Sequence, residues 1–361
     1  RTRRTPRLDR AASIPPVNPR TDPASAPELR RWLAAELGVS SNELRIEPLS
    51  SRGDSNLMYE VDAGGLQLVL RLPPTVKNDR SAHDVLREHR MLEALEHTDV
   101  PHPRPVVACD DERIAGRPFY VMGFVEGFSP SPPPPAPWSD LQDVRRDLGL
   151  RAAEALADLS LVDYAAVGLE EFGRPEGFLA RQVPRWLRQL DSTSARELPG
   201  LRDVGAWLEE HRPPDRPPGI VHGDYHLRNV MFAPDPPGRV VAIVDWEMST
   251  IGDPMLDLGA LLATWSQPGE EVFMNASMTD WPGMATREEI ATAYERRAGR
   301  PLEHLQYYMA LALFKLACIL EGSYARLLAG TSEHAGHQSY ETLVPMMVRR
   351  AQAIVAGELA L

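Results

Sequence analysis

Apolar positions along this chain change period several times, and each change predicts an element. In APELRRWLAAELG (26–38), Leu29, Trp32, Leu33 and Leu37 recur at helical spacing and Gly38 follows as a stop. The next apolar runs alternate instead: LRIEPLS, NLMYEVDA and LQLVLRLP predict three strands, with SRGDS and Gly64-Gly65 as turns. SAHDVLREHRMLEALEH returns to helical spacing through Val85, Leu86, Met91, Leu92 and Leu95, and RPVVACDD and RPFYVMGFV predict two further strands. The expectation is a small antiparallel sheet with one long helix inserted after its third strand.

A proline-rich stretch, SPSPPPPAPW (129–138), interrupts the pattern as a linker or insert. Beyond it DLQDVRRDLGLRAAEALADLSLVD, FLARQVPRWLRQL and DVGAWLEEH read as helices. A hairpin follows, built from NVMFA, the turn PDPPG and RVVAIVDWE, and the pattern is helical again from Asp257 to Val355. The order predicts a β-rich lobe at 24–127, after a basic arm at 1–23 without periodicity, and a helical lobe with an embedded hairpin at 128–361.

Composition narrows the function classes. With 361 residues, 43% hydrophobic and 25% charged, the chain has the balance of a globular protein with a sizeable core. A net charge of −12 argues against nucleic acid as a partner, since phosphate neutralisation needs surplus Lys and Arg. The two cysteines, Cys109 and Cys318, form no metal-ligand spacing or disulfide framework and point to a reducing compartment. The longest apolar run, YYMALALFKLACIL, is too short to span a bilayer and is broken by Lys315, and no signal-peptide core is evident. The expectation is a cytoplasmic protein without a membrane partner, as monomer or homodimer. Lysine occurs only at Lys77 and Lys315, so a lysine-based motif would be carried here by arginine.

Chemistry concentrates around the hairpin. IVHGDYHLRNVMF (220–232) carries His222, Asp224 and Asn229, and Asp245 ends the hairpin's second apolar run. A hairpin folds its ends together, so Asn229 and Asp245 are placed to share a ligand, and both are oxygen donors suited to Mg²⁺ with substrate phosphates. Asp224, just before, is placed to orient or deprotonate an attacking hydroxyl. Phosphoryl transfer asks mainly for such positioning and for charge neutralisation.

HGDYHLRN resembles the catalytic-loop pattern H-x-D-x-x-x-x-N of the kinase-like fold. With IVDWEMSTIGDPMLDLG (243–259) it is similar to the aminoglycoside phosphotransferase and choline-kinase-like branch. Bacterial proteins of that branch, and the phosphotransferase part of acyl-CoA dehydrogenase-linked proteins, are the nearest in wording. The resemblance runs from about Leu44 to Trp265 and implies an α+β, bilobal protein-kinase-like fold.

It also implies roles: Asp224 as base or hydroxyl-orienting residue, Asn229 and Asp245 as Mg²⁺ ligands, and His222 and Asp257 as structural support of the catalytic loop. SSRGDSNLMYEV would be the nucleotide loop, with Ser55 and Asn56 near the phosphates. The family's third-strand lysine is replaced by Arg71, a planar fork in place of a point charge, and Glu88 on the following helix would pair with it. YVMGFVEG would join the lobes, Met122 lining the adenine site while backbone groups of Gly123 and Val125 read the base. ATP would be co-substrate and a small-molecule hydroxyl the acceptor. Glu270, Glu271 and Asp280 are candidates for an acidic wall around a cationic acceptor, and Glu247 and Asp253 are open between metal support and loop capping.

Two other classes stay in view: a nucleotide-binding pseudokinase or scaffold, for which Arg71 speaks, and a metal-dependent hydrolase on His222, Asp224 and His226, which would need further ligands such as His334 and His337. The chain has no G-x-x-x-x-G-K-S/T stretch, which argues against a P-loop NTPase.

Overall fold

Alternation in LQLVLRL decides which side of the sheet each residue faces, and the computed structural model shows the result. It describes residues 26–49, 56–73, 84–131, 136–194, 196–271, 278–331, 335–359 and 361. The N-terminal arm, Ser55, Lys77 and His334 lie outside the described residues. After helix α1 (Pro27–Leu37) come strands β1 (Leu44–Pro48), β2 (Leu57–Ala63) and β3 (Leu66–Leu72), then helix α2 (Val85–Leu95). Strand β4 (Pro105–Cys109), the single-turn helix α3 (Glu112–Ala115) and strand β5 (Phe119–Gly123) complete this part. The sheet order is β1-β2-β3-β5-β4, and every neighbouring pair is antiparallel.

Leu68, Leu70 and Leu72 point to one face, where they pack with Leu29 and Leu33 of α1 and with Phe119 and Val121. Trp32 closes that face edge-on against Phe119, ring centroids 5.1 Å apart. Full burial of each such leucine contributes roughly 1.5–3 kcal/mol. Val69 takes the other face with Tyr120 and Met122, against Val85, Met91 and Leu95 of α2. Arg71 is on that second face as well, directly across from Tyr120 on β5.

Asp84 caps α2 by accepting from the Arg87 N–H at 3.0 Å. The helix is also tied to the helical part of the molecule. Arg87 Nη2 donates to the Ser249 carbonyl at 3.2 Å, its guanidinium lies 3.6 Å over the Phe172 ring, and Arg90 Nη2 donates to the Gly168 carbonyl at 3.1 Å.

The helical part holds α4 (Arg145–Leu161), α5 (Phe178–Thr193), α6 (Leu201–Glu210), α7 (Met255–Ala263), α8 (Arg287–Ala298), α9 (Leu305–Leu328) and α10 (Tyr340–Val355). Helix α9 is apolar nearly all round, which is the signature of a helix at the centre of a bundle, and it packs against α5, α7 and α10. The approach to α7 is close: a Cβ at Gly259 would stand 2.5 Å from the Tyr308 backbone.

Four short strands lie between α6 and α7: β6 (Gly219–Val221), β7 (Val230–Phe232), β8 (Val240–Ile243) and β9 (Thr250–Gly252). The hairpin expected from the sequence is β7–β8, with Val230 opposite Ile243. The antiparallel pairing of β6 with β9 is new, because three residues are too few to show alternation. Among the described residues, no helix is long and apolar enough to cross a membrane.

Candidate active site

β6 runs directly into His222, Gly223 and Asp224. Gly223 has φ +87°, and a Cβ there would stand 2.3 Å from the Met248 carbonyl oxygen, so the turn demands glycine. Its backbone is held by Asp257, in the first turn of α7, whose carboxylate accepts the His222 N–H at 2.6 Å and the Gly223 N–H at 2.9 Å. Burial pushes the Asp257 carboxyl up to about 6, and those two N–H groups work against it.

His222 is fully buried. Its Nδ1 accepts the Asp224 N–H at 3.2 Å, and its Nε2 lies 3.0 Å from the Val244 carbonyl, which fixes the proton on Nε2. Burial drives the imidazole down to about 4, so it is a neutral brace between the loop and the hairpin's end.

The hairpin does what its topology requires. Asn229 closes a 3-10 turn just before β7, and the Val244 N–H donates to the Asn229 carbonyl at 2.9 Å, placing Asn229 next to Asp245. The Asn229 Nδ2 donates to the Asp224 carbonyl at 2.9 Å and to Asp224 Oδ2 at 3.1 Å. That use of the nitrogen leaves Oδ1 as the atom with which Asn229 can meet a cation. Asp245 is held at φ 69°, a left-handed conformation that costs about 1–2 kcal/mol for most residues and is best tolerated by Asn and Asp. Burial pushes the Asp224 carboxyl up, but His226, with Nε2 3.5 Å away, together with Lys315 and His222, holds it well below the usual carboxylate range.

Arg71 joins the sheet to this loop. Its Nε lies 2.9 Å from Glu88 Oε2, and its Nη2 lies 2.7 Å from Asp245 Oδ1 and 3.8 Å from Glu247 Oε2. Tyr120, across the sheet from Arg71, donates its hydroxyl to Glu88 Oε2 at 2.9 Å. The Asn56 amide lies between Arg71 and Glu247, 3.3 Å from Glu247 Oε2. Burial pushes Glu88 up to about 7 while Arg71 pulls it down, and burial opposes the charge on Arg71 without overcoming Glu88 and Asp245. Glu88 is thus a buried partner, not an exposed helix charge.

Asp224, Asn229, Asp245, Arg71, Glu88 and Asn56 therefore form one connected polar group. Met122 is buried at the end of β5, the Gly123 N–H donates to the Arg104 carbonyl at 2.8 Å, and Val125 follows in the connection to the helical part. Ser55 is outside the described residues. Asp253 belongs elsewhere, accepting from the Tyr308 hydroxyl at 2.6 Å. Glu270 is engaged by Arg287 and Arg350, and Glu271 lies 3.4 Å from Arg349. Among the described residues, no group of three or more His, Cys, Asp and Glu is arranged to hold a metal. An Asp–Asn pair completed by phosphate oxygens is a different donor set, and it fits Mg²⁺.

Sequence reasoning passed over Tyr120, which looked like one more strand aromatic, and Lys315. The second had a visible signal, a rare lysine inside an apolar helix.

Known proteins match both the chain and its shape. The model of the phosphotransferase enzyme family matches residues 45–302. Acyl-CoA dehydrogenase family member 10 of Mus musculus is 32% identical over 332 residues, covering 90% of this chain and 30% of that protein. Family member 11 of Gallus gallus is 32% identical over 306 residues, covering 82% of this chain and 39% of that protein, so the chain spans well under half of these relatives. A structure from Ralstonia eutropha described as an aminoglycoside phosphotransferase superposes with TM-score 0.76 at 29% identity, covering 91% of this chain and 98% of its own. Aminoglycoside phosphotransferase APH(4)-Ia, in ternary complex with ADP and hygromycin B, shares the fold with TM-score 0.60 at 16% identity, covering 92% and 100%. A catalytic-loop pattern at the ends of a hairpin, a sheet arginine reaching it and a family match over most of the chain agree: this chain belongs to the phosphotransferase enzyme family.

Proposed function

We propose that the chain transfers the terminal phosphoryl group of ATP, bound with Mg²⁺, to a hydroxyl of a small molecule. The observation that carries this reading is the convergence of Asp224, Asn229 and Asp245 at the two ends of the β7–β8 hairpin, with Arg71 bridging Asp245 to Glu88. The nucleotide lies between the sheet part (24–127) and the helical part (128–361). Asn56 and Arg71 face its phosphates, as would Ser55, and Glu88 holds Arg71 in place. Met122 lines the adenine site, with the Gly123 carbonyl and the Val125 backbone reading the base. Neighbouring structures in complex with ADP or AMP-PNP favour the choice of an adenine nucleotide.

Asn229 Oδ1 and the Asp245 carboxylate would hold Mg²⁺, which supplies charge neutralisation at the phosphates. Asp224 accepts the hydroxyl proton as the acceptor oxygen bonds to the γ-phosphorus. The bond from that phosphorus to the β–γ bridging oxygen breaks, and ADP leaves. His222 and Asp257 keep the loop in register and exchange no proton with substrate.

The acceptor is a small molecule, and its class follows neither from the fold nor from the family name. With Glu270 and Glu271 engaged by arginines, the acidic wall suggested for a polycationic acceptor loses two of its three candidates. ADP release with Mg²⁺-ATP across aminoglycosides, amino alcohols, sugars and hydroxyacyl-CoAs tests the reading, with Asp224→Asn as control. A signal that survives Asp224→Asn refutes the base. The pairing of Arg71 with Asp245 favours a second reading, a nucleotide-binding protein without turnover. Nucleotide binding with silence across every acceptor would support it.

A further inference from the structure

Helix α9 fills the centre of the helical part with apolar side chains, and Lys315 interrupts them midway. It is the only lysine among the described residues and one of two in a chain whose Lys and Arg total 39. Its side chain is buried, 8% exposed. A buried ammonium is costly unless it is paired, and a Leu or Met would fill the same space without that cost.

The partners of Lys315 belong to the catalytic loop. Its Nζ donates to the Gly223 carbonyl, in the peptide group that leads into Asp224. Asp257 accepts the Gly223 N–H from the other side, at 2.9 Å. Gly223 is therefore gripped at its N–H by α7 and at its carbonyl by α9, two helices in close contact. Burial lowers the basicity of Lys315, whereas Asp224 and Asp257 act to keep it charged and Arg185 opposes them. The site suits a compact point charge on a flexible stem that reaches one carbonyl, where a guanidinium fork would need more room.

We propose that Lys315 is a positioning residue for Asp224: it locks the Gly223–Asp224 peptide from α9 and sets a positive charge beside the Asp224 carboxylate. This rests on the reading of Asp224 as the base. Without Lys315 the carboxylate loses a fixed approach to the acceptor hydroxyl, because the Gly223 carbonyl is no longer held from α9. The nucleotide contacts proposed above belong to residues other than Gly223 and Lys315, so ATP affinity is expected to change little.

The test uses the full chain labelled with ¹⁵N at the lysine side-chain nitrogens, so that two lysine signals appear and Lys77→Arg assigns them. The Lys315 signal is expected to shift in Asp224→Asn while that of Lys77 stays. With an acceptor in hand, Lys315→Met is expected to lower kcat about 100-fold with KM for ATP within about twofold, and Lys315→Arg to recover about tenfold of that loss. An unmoved Lys315 signal in Asp224→Asn, or a folded Lys315→Met with the parent's kcat, overturns the proposal. If Lys315→Met does not fold, the ¹⁵N shift and the kcat of Lys315→Arg decide. Absence of turnover in the parent chain would count against the kinase reading alone, because the ¹⁵N shift still shows whether Lys315 senses Asp224.

Discussion

Two arginine–carboxylate networks in this molecule are built from the same residue types and differ in the ratio of arginines to carboxylates among the described residues. In the helical part, Glu270 is held by two buried arginines: Arg287 at 2.5 and 2.8 Å and Arg350 at 3.2 Å. The same arginines donate to backbone as well, Arg350 to the Ala263 carbonyl at 2.8 Å and both to the Trp265 carbonyl at 2.9 Å. In the cleft the ratio among the described residues is reversed, because Arg71 faces Glu88, Asp245 and Glu247. The first network ties one carboxylate to two arginines that also hold backbone carbonyls, as a structural knot should. Among the described residues, the second gathers three carboxylates around one arginine at the mouth of the catalytic loop, an arrangement suited to a cation and a phosphate-bearing ligand. A buried ion pair is by itself weak evidence of function; where its carboxylates stand relative to the catalytic loop says more.

The largest expected effect lies on the cleft side and leaves the knot alone. Asp224→Asn is expected to lower turnover by about 10²–10⁴-fold with ATP affinity within a few-fold, measured by ADP release and calorimetry. Near-parent turnover would end the assignment. The converse experiment is Glu270→Ala, which strands two arginines without their carboxylate. A loss of about 3–5 kcal/mol in denaturant unfolding is expected, with unchanged nucleotide affinity in the protein that remains folded. If Glu270→Ala instead altered nucleotide affinity, the two networks would not be separate.

Acid should tell them apart too. The folded-state pKa of His222, about 4, is depressed from 6.5, so its contribution is fully present above about 6.5 and is lost as pH falls towards 4. Asp257, raised to about 6, acts in the opposite sense over the same window, so the measurement is the difference between the parent and His222→Asn. That difference should shrink by on the order of 3 kcal/mol between pH 7 and pH 4. Burial pushes Glu270 up, but the Arg287 hydrogen bond and charge hold it down to about 2 from 4.5, so its contribution fades only below about pH 4.5. At pH 5 the His222 contribution should already have weakened while that of Glu270 has not.

The smallest effect sharpens the contrast most. Asp245→Asn removes one of the three carboxylates facing Arg71 and keeps a residue type that tolerates the left-handed backbone, so ligand-free stability should change by less than about 1 kcal/mol. Mg²⁺-dependent nucleotide binding should fall by about tenfold or more, read by titration with and without the metal. A large loss of stability would make Asp245 a structural partner of Arg71.

Legibility in the sequence followed the physics of each feature. The strands of the large sheet and most helices were readable because one face of each is buried, and burial writes a period of two or 3.6 into the apolar positions. The β6–β9 pair was not readable, since three residues carry no period. Asp224, Asn229 and Asp245 stood out because polar residues at fixed spacing flank an apolar hairpin, and a hairpin brings its own ends together. Tyr120 gave no signal, because a strand tyrosine packs as readily as it donates a hydrogen bond. Glu247 and Asp253 stand on either side of the short strand β9 in sequence, yet one joins Arg71 and the other Tyr308.

The sequence alone determined what local pattern and short-range closure can determine: the order of elements, the apolar faces and the convergence of both hairpin ends. Tertiary structure decided which distant charges meet. Arg71, held by Glu88, reaches Asp245 only because the sheet and α2 close over the hairpin, and Lys315 reaches Gly223 only because α9 packs beneath the loop. The physical reason is range. Periodicity and hairpin closure act over a few residues or one turn, whereas the energy of a buried charge depends on every group folded against it, from any point in the chain.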